Sequence, residues 1–357
     1  MVTKVVRVDP DRPDPLDIAR AAECLRRGGL VAFPTETVYG LGVHALDRDA
    51  VRKLFEAKGR PASDPLIVHV AAFDQIQALV TALPAHAAAL AARFWPGPLT
   101  LVLPRAASVP PEVTAGLQTV AIRIPAHPVA RALLSAAGIP VAAPSANLFS
   151  RPSPTRAAHV LDDLDGRIDM VIDGGATTVG VESTVLDLTV DPPAVLRPGA
   201  VTVEALQSTL TGVRLAPSRS ADTPLPSPGL LPKHYAPRAP MTLYRGQAEA
   251  ARRALVAAAR DAIDRRVRVG VLATSGDAGA LEGMAVVIAA FGAEDDAEGA
   301  GARLYAALRE LDAAQVDVIL ARDASRDDGL WRALRDRLHR AATRIVDAAE
   351  RDHEPGT

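Results

Sequence analysis

Seven prolines crowd the stretch from Ala216 to Pro240, at positions 217, 224, 226, 228, 232, 237 and 240, and nothing else in the chain limits its fold so strongly. Proline locks φ, supplies no backbone N–H and pushes the residue before it out of the helical region, so neither a helix nor a central strand can run through. At 357 residues the chain is also long for one domain, the usual size being about 100–200 residues. Two bodies are therefore expected, residues 12–212 and 241–346, joined by residues 213–240.

Strand-like and helix-like segments alternate on both sides of the break. Residues 15–27 carry helical spacing, with Asp14 as N-cap, Pro15 in the first turn and Gly28-Gly29 as the stop. Helical spacing returns over 47–58. Short apolar runs at 30–33, 66–70, 99–103, 120–124, 139–142 and 170–172 read as buried strands. Beyond the break, helices are expected over 247–263, 302–311 and 330–346, and strands at 267–273, 284–291 and 316–321. This order gives an α/β fold ending in a small, mainly parallel Rossmann-like layer. That layer has no Gly-x-Gly-x-x-Gly opening, and Gly299-Ala300-Gly301 stands in the wrong context for one, so nucleotide binding is not expected there.

The 40 basic and 42 acidic residues leave a net charge of −2, without the basic excess that broad electrostatic binding to nucleic acid requires. Aromatic residues make up 3% against 48% hydrophobic, so the cores are aliphatic. The single cysteine, Cys24, falls in a helical pattern; it excludes a disulfide framework and a cysteine metal site, and reads as a small buried hydrophobe. No run approaches the roughly 18 apolar residues of a membrane span. The first residues lack the apolar stretch of a signal peptide, and a cytoplasmic protein is expected.

Five stretches carry chemistry. Residues 33–42 follow a strand and combine hydroxyls, a carboxylate and glycines that admit close backbone approach, though alone they are equally an ordinary turn. Lys58-Gly59-Arg60-Pro61, leading on to Asp64 and His69, sets two cations at a helix end. They suit either phosphate and carboxylate contacts or simple complementation of the helix dipole. His69 lies in a strand-like run, where a plain core role is open to it. Arg123 is embedded in the apolar run 119–125, where an unpaired charge is very costly, so its partner is either a substrate carboxylate or a structural ion pair. Residues 142–147 and 151–155 form a platform of small and hydroxylated residues. Residues 173–175, 181–184 and 196–199 each place a hydroxyl, charge or glycine after an apolar strand. Within the Pro-rich stretch, residues 227–237 hold more reactive and stacking groups than a spacer needs.

In order and spacing these stretches resemble the YrdC-like threonylcarbamoyl-AMP synthases in their two-domain form. The resemblance is carried by Pro34-Thr35-Glu36-Thr37-Val38-Tyr39-Gly40-Leu41, Lys58-Gly59-Arg60-Pro61, Pro65-Leu66-Ile67-Val68-His69, Trp95-Pro96-Gly97-Pro98-Leu99-Thr100, Ser145-Ala146-Asn147 and Ser183-Thr184. It spans about residues 12–210, and the Pro-rich stretch and trailing domain extend it. It implies a YrdC-like twisted mixed sheet with flanking helices and a concave, positively charged cleft. L-threonine would be held by Thr35, His69, Arg123, Ala143 and Ser183, with Arg123 on its carboxylate. ATP would be held by Lys58, Arg60, Asp64, Thr119, Ser145, Ser153 and Arg197, and Tyr235 would fold over it as a lid. Magnesium would arrive with ATP, with no metal ligand assigned to the protein. Two departures stand out. Asp64 replaces a common Asn, which would favour a metal ion, and Phe149-Ser150 replaces Ser-Gly, which would reshape the loop near the nucleotide.

The implied reaction joins threonine's amine to bicarbonate as a carbamate, whose carboxylate attacks the α-phosphorus of ATP and expels pyrophosphate. Two anions must meet, so clustered cations matter more than a nucleophilic side chain, and none is evident. Positioning of this kind is worth about 7–11 kcal/mol. Threonine differs from serine by one methyl group, worth about 1–3 kcal/mol. A downstream tRNA threonylcarbamoyl transferase would consume the product to form N6-threonylcarbamoyladenosine, while direct tRNA contact stays open. Three other functions compete: an RNA-binding module without adenylate synthesis, carbamoyl transfer from a carbamoyl-adenylate, and a ligand sensor whose second domain carries the output. The second of these normally brings acylphosphatase and zinc-finger regions, which are missing from this sequence.

Overall fold

The computed structural model describes residues 2–217 and 234–348 and divides into two units, Met1–Pro232 and Lys233–Thr357. The motif at 227–233 lies outside the described residues.

The first unit holds, in chain order, β1 (Lys4–Arg7), β2 (Val31–Phe33), β3 (Gly40–His44), β4 (Ile67–His69), β5 (Leu99–Pro104), β6 (Thr119–Arg123), β7 (Val141–Ala142), β8 (Met170–Asp173), β9 (Thr184–Asp187), β10 (Ala194–Arg197) and β11 (Arg214–Leu215). They form one twisted mixed sheet ordered β1-β8-β2-β3-β7-β4-β6-β5-β9-β10-β11. Helix α1 (Pro15–Arg26) starts where the Asp14 carboxylate accepts the N–H groups of Leu16 and Asp17. Helix α2 (Arg48–Lys58) is capped by Asp47 in the same way and stops at Gly59, whose φ of 61° suits glycine.

The two sheet faces differ, and that difference positions the site. One face packs Val68, Leu101, Leu103, Val120, Ile122 and Leu186 into the main core with Leu54 and Phe55 of α2. The opposite face, at the β1–β8–β2 end, is covered by α1 and the helix Pro128–Ala137, through Ile18, Leu25, Phe33, Leu133 and Ile172. Over β4, β6, β5, β9 and β10 that same face carries only a small apolar patch of Ile67, Val102, Ala121, Val185 and Leu196. Side chains alternate along a strand, and the registers pair Ile67 with Ala121, His69 with Arg123, and Thr100 with Val185. Thr119, Arg123, His69, Thr100 and Ser183 therefore share the face turned away from the main core. Strict alternation would return Arg197 to the core beside Val195. A bulge between these two residues instead pairs Arg197 with Val185 and brings it to the site face.

The second unit contains β12 (Met241–Arg245), β13 (Val269–Thr274), β14 (Val286–Gly292), β15 (Val318–Arg322) and β16 (Arg344–Asp347). They form a parallel sheet ordered β14-β13-β15-β12-β16. The last helix stops at Ala341, short of the expected 346, and residues 344–347 pair with β12 as an edge strand. Thr343, Ile345 and Val346 are β-branched and favour that extended end. Strand β3 is also unforeseen, because Gly40 and Gly42 read as a turn. A Cβ on Gly42 would sit 2.8 Å from Phe33 Cε1 and 2.9 Å from Val141 Cγ1, so close packing of strands demands glycine there. Cys24 is half-buried on α1. Among the described residues no helix is long and apolar enough to cross a membrane.

Candidate functional site

The loop between β2 and β3 is wound on its own hydroxyls. Thr35 Oγ1 donates to Val38 O at 2.6 Å and accepts the N–H groups of Thr37 and Val38 at 3.2 Å each. This is a local Ser/Thr turn. Its middle is clamped from outside, since Val179 N–H donates to Glu36 O at 2.8 Å and Gly180 N–H to Thr37 O at 3.0 Å. The clamp delivers Glu36 and Thr37 to Arg123.

Arg123 is 4% exposed. Its Nη2 donates to Glu36 Oε1 at 2.6 Å, Nη1 to Thr37 Oγ1 at 2.9 Å and Nε to Gly97 O at 3.2 Å. The structural ion pair weighed for this arginine is thus present. A guanidinium has five N–H donors; three have protein acceptors, which leaves two for a ligand. Burial alone would raise the Glu36 carboxyl, but the charge and hydrogen bond of Arg123 hold it below the usual carboxylate range. His69, beside Arg123 in register, is pushed down to about 3 by burial and then by the Arg123 charge, so its ring is neutral. Its Nδ1 is buried without a hydrogen-bond partner, an unsatisfied group of the kind that a bound ligand ordinarily completes.

A second basic group lies where α2 ends. Lys58 Nζ donates to Ser145 O at 2.6 Å and Asn147 O at 2.5 Å. Burial, and next the neighbouring Arg60, lower its pKa well below that of an ordinary lysine. Arg60 donates to Asp64 O at 3.1 Å and Pro65 O at 2.9 Å, and pairs with the Asp64 carboxylate at 2.9 Å. Arg197 donates from Nε and Nη2 to Ser183 O at 3.2 and 2.9 Å, and the Ser183 hydroxyl also meets Thr100 Oγ1 at 2.8 Å. The Ser153 hydroxyl donates to Glu182 Oε1 at 2.5 Å.

These pieces join. Gly40 bridges to Ser145, Ala146 N–H reaches Tyr39 O, Tyr39 N–H reaches Pro154 O, and Thr184 N–H reaches Pro98 O. Thr35, Lys58, Arg60, Asp64, His69, Arg123, Ala143, Ser145, Ser153, Ser183 and Arg197 consequently belong to one connected set of loops and strand ends. Thr119 shares the face but sits at the far end of β6. Tyr235 belongs to the second unit, 1% exposed, with its ring 5.5 Å from that of Tyr305 and 5.4 Å from the Arg337 guanidinium. Ser150 adopts φ 66°, a left-handed turn that glycine enters at no cost. That conformation accounts physically for the usual glycine there. Four residues that reasoning from the sequence left without a role are engaged here: Glu36, Thr37, Thr100 and Glu182. Glu36 was findable, being the one carboxylate in the first motif while Arg123 needed a partner.

A buried arginine with donors to spare, backed by further cations, defines a protein that handles small anionic molecules. Comparison with known proteins narrows that class. A family model described as telomere recombination matches residues 23–199, and one described as the threonylcarbamoyl-AMP synthase C-terminal domain matches residues 201–343. A threonylcarbamoyl-AMP synthase of Pyrococcus abyssi is 45% identical, covering 93% of this chain and 96% of its own length. One from Bacillus subtilis is 46% identical, covering 91% and 92%. The crystal structure of P. abyssi Sua5 complexed with L-threonine matches with TM-score 0.91 and 43% identity, covering 97% of this chain and 100% of that one. The chain belongs to the threonylcarbamoyl-AMP synthase family.

Proposed function

We propose that this chain is an adenylate-forming nucleotidyltransferase that converts L-threonine, bicarbonate and ATP into threonylcarbamoyl-AMP and pyrophosphate in the cytoplasm, supplying a tRNA threonylcarbamoyl transferase. The observation that carries this is Arg123, buried on the face opposite the main core with two N–H donors unclaimed, a receptor for the threonine carboxylate. Thr35, His69, Ala143 and Ser183 complete the threonine pocket. Lys58, Arg60, Asp64, Thr119, Ser145, Ser153 and Arg197 hold ATP. Buried cations strengthen electrostatic stabilisation because little water screens them. His69, neutral, serves as a hydrogen-bonding group rather than a second cation.

Magnesium enters with the triphosphate in this scheme. Mg²⁺ ordinarily takes one or two carboxylates plus phosphate oxygens rather than a protein cage. The residues fit that mode through Asp64, paired with Arg60, and Glu182, which accepts from Ser153; these carboxylates would hold the ion. When bound, magnesium offsets phosphate charge. The lid role expected of Tyr235 is left out of this scheme, because its ring is buried against Tyr305 and the Arg337 guanidinium within the second unit. The test is pyrophosphate release with ATP, magnesium and bicarbonate; it should require threonine, and threonine-independent release would refute the assignment.

A further inference from the structure

None of the five side chains assigned to threonine brings a negative charge. Thr35 and Ser183 are hydroxylic, Ala143 is apolar, Arg123 is cationic and His69 is neutral. Threonine nevertheless arrives as a zwitterion, and an ammonium group taken out of water without an anion is strongly disfavoured. Among the described residues, the Glu36 carboxylate touches this group. Glu36 Oε1 accepts from Arg123 at 2.6 Å and Oε2 accepts the Ala126 N–H at 3.0 Å. A carboxylate offers about four acceptor sites, so these two bonds leave capacity for more.

We propose that Glu36 is the specificity-determining residue for the substrate's α-amino group: Glu36 and Arg123 together form a two-charge receptor that takes a zwitterionic amino acid and rejects its deaminated counterpart. This rests on the threonine assignment of Arg123. Charge balance supports it. The empty pair sums to zero. A bare hydroxy acid would leave one uncompensated negative charge in a buried site, whereas a zwitterion keeps the sum at zero. The unsatisfied Nδ1 of His69, in register with Arg123, points to a polar ligand at the same place. A consequence follows for turnover. When the ammonium gives up a proton to solvent and the amine attacks bicarbonate, the N–C bond forms, a C–O bond breaks with loss of water, and the ammonium charge is replaced by a carbamate anion. Glu36 then repels what it first attracted, which favours the carbamate turning toward the cations assigned to ATP.

Calorimetric titration of the full-length protein with L-threonine, with 2,3-dihydroxybutanoate (the same acid with hydroxyl in place of amine) and with L-threoninamide tests this. Wild type should prefer threonine over the hydroxy acid by about 100-fold or more, of the size seen for lost charged partners, and should also bind the amide poorly. E36Q should bring threonine and the hydroxy acid within about 10-fold of each other, while E36D keeps the preference and the KM for ATP stays put in both variants. An unchanged preference in E36Q overturns the proposal. Should E36Q fail to fold, wild type alone decides, because equal binding of threonine and the hydroxy acid also overturns it. Wild type that binds no threonine at all instead refutes the assignment of function.

Discussion

Replacing Arg123 with Met probes stability and binding at once. The substitution removes the donors to Glu36, Thr37 and Gly97, and leaves Glu36, 8% exposed, without its counter-ion. Breaking a buried pair from one side costs about 3–5 kcal/mol. For a unit of this size, roughly 2–4 °C per kcal/mol gives a fall in Tm of about 6–20 °C. Removing both charges in E36Q/R123M should recover most of that loss, since an apolar pair of similar volume is often neutral or better. Threonine binding should not recover: losing its carboxylate anchor costs about 2–5 kcal/mol, some 30- to 5000-fold in Kd. The wild-type Glu36 contribution is present above the ordinary carboxylate pKa and lost as pH falls. The R123M deficit should therefore shrink in acid. Differential scanning calorimetry and threonine titration of wild type and the two variants read both effects. A single-variant loss under about 1 kcal/mol, or threonine binding restored in the double variant, would refute the reasoning.

Other expectations concern separate parts of the site and fold. Lys58→Met or Arg60→Ala should raise the KM for ATP far more than that for threonine, measured by steady-state kinetics, with the reverse for Arg123 variants. His69 is held at about 3 against 6.5 in the unfolded chain, so the folded state resists protonation. Its stabilisation is full above about pH 6.5 and is lost as pH falls toward 3, up to roughly 5 kcal/mol at 1.36 kcal/mol per unit. His69→Gln should flatten the acid limb of stability by about one proton in urea titrations at pH 7, 5.5 and 4.5; parallel limbs would contradict this. Gly42→Ala should cost about 1–3 kcal/mol by overpacking Phe33 and Val141.

Much of this fold was legible where periodicity and caps coincide. The spans of α1 and α2, begun by Asp14 and Asp47, lie within a residue or two of expectation, as do β5, β6 and β13. Elements defined by pairing rather than by their own pattern were not legible. Strand β3 is glycine-rich, β11 has two residues and β16 continues a helical-looking run. In the candidate site the cations and hydroxyls were identifiable from their types, but their facing was not. Arg197 reaches the site face through a bulge, which no alternation rule anticipates. The partner of Arg123 lies 87 residues away in sequence, and only the loop clamp brings it there.

The central claim is that one connected site joins threonine, bicarbonate and the AMP moiety. Incubation with carbon-13 bicarbonate, L-threonine and ATP labelled at the α-phosphate, followed by rapid mass spectrometry, tests it directly. Both labels should appear together in a single threonine-containing adenylate, and R123M should abolish it at threonine levels that saturate wild type. An adenylate carrying the phosphate label without the bicarbonate carbon, or undiminished product from R123M, would contradict the account.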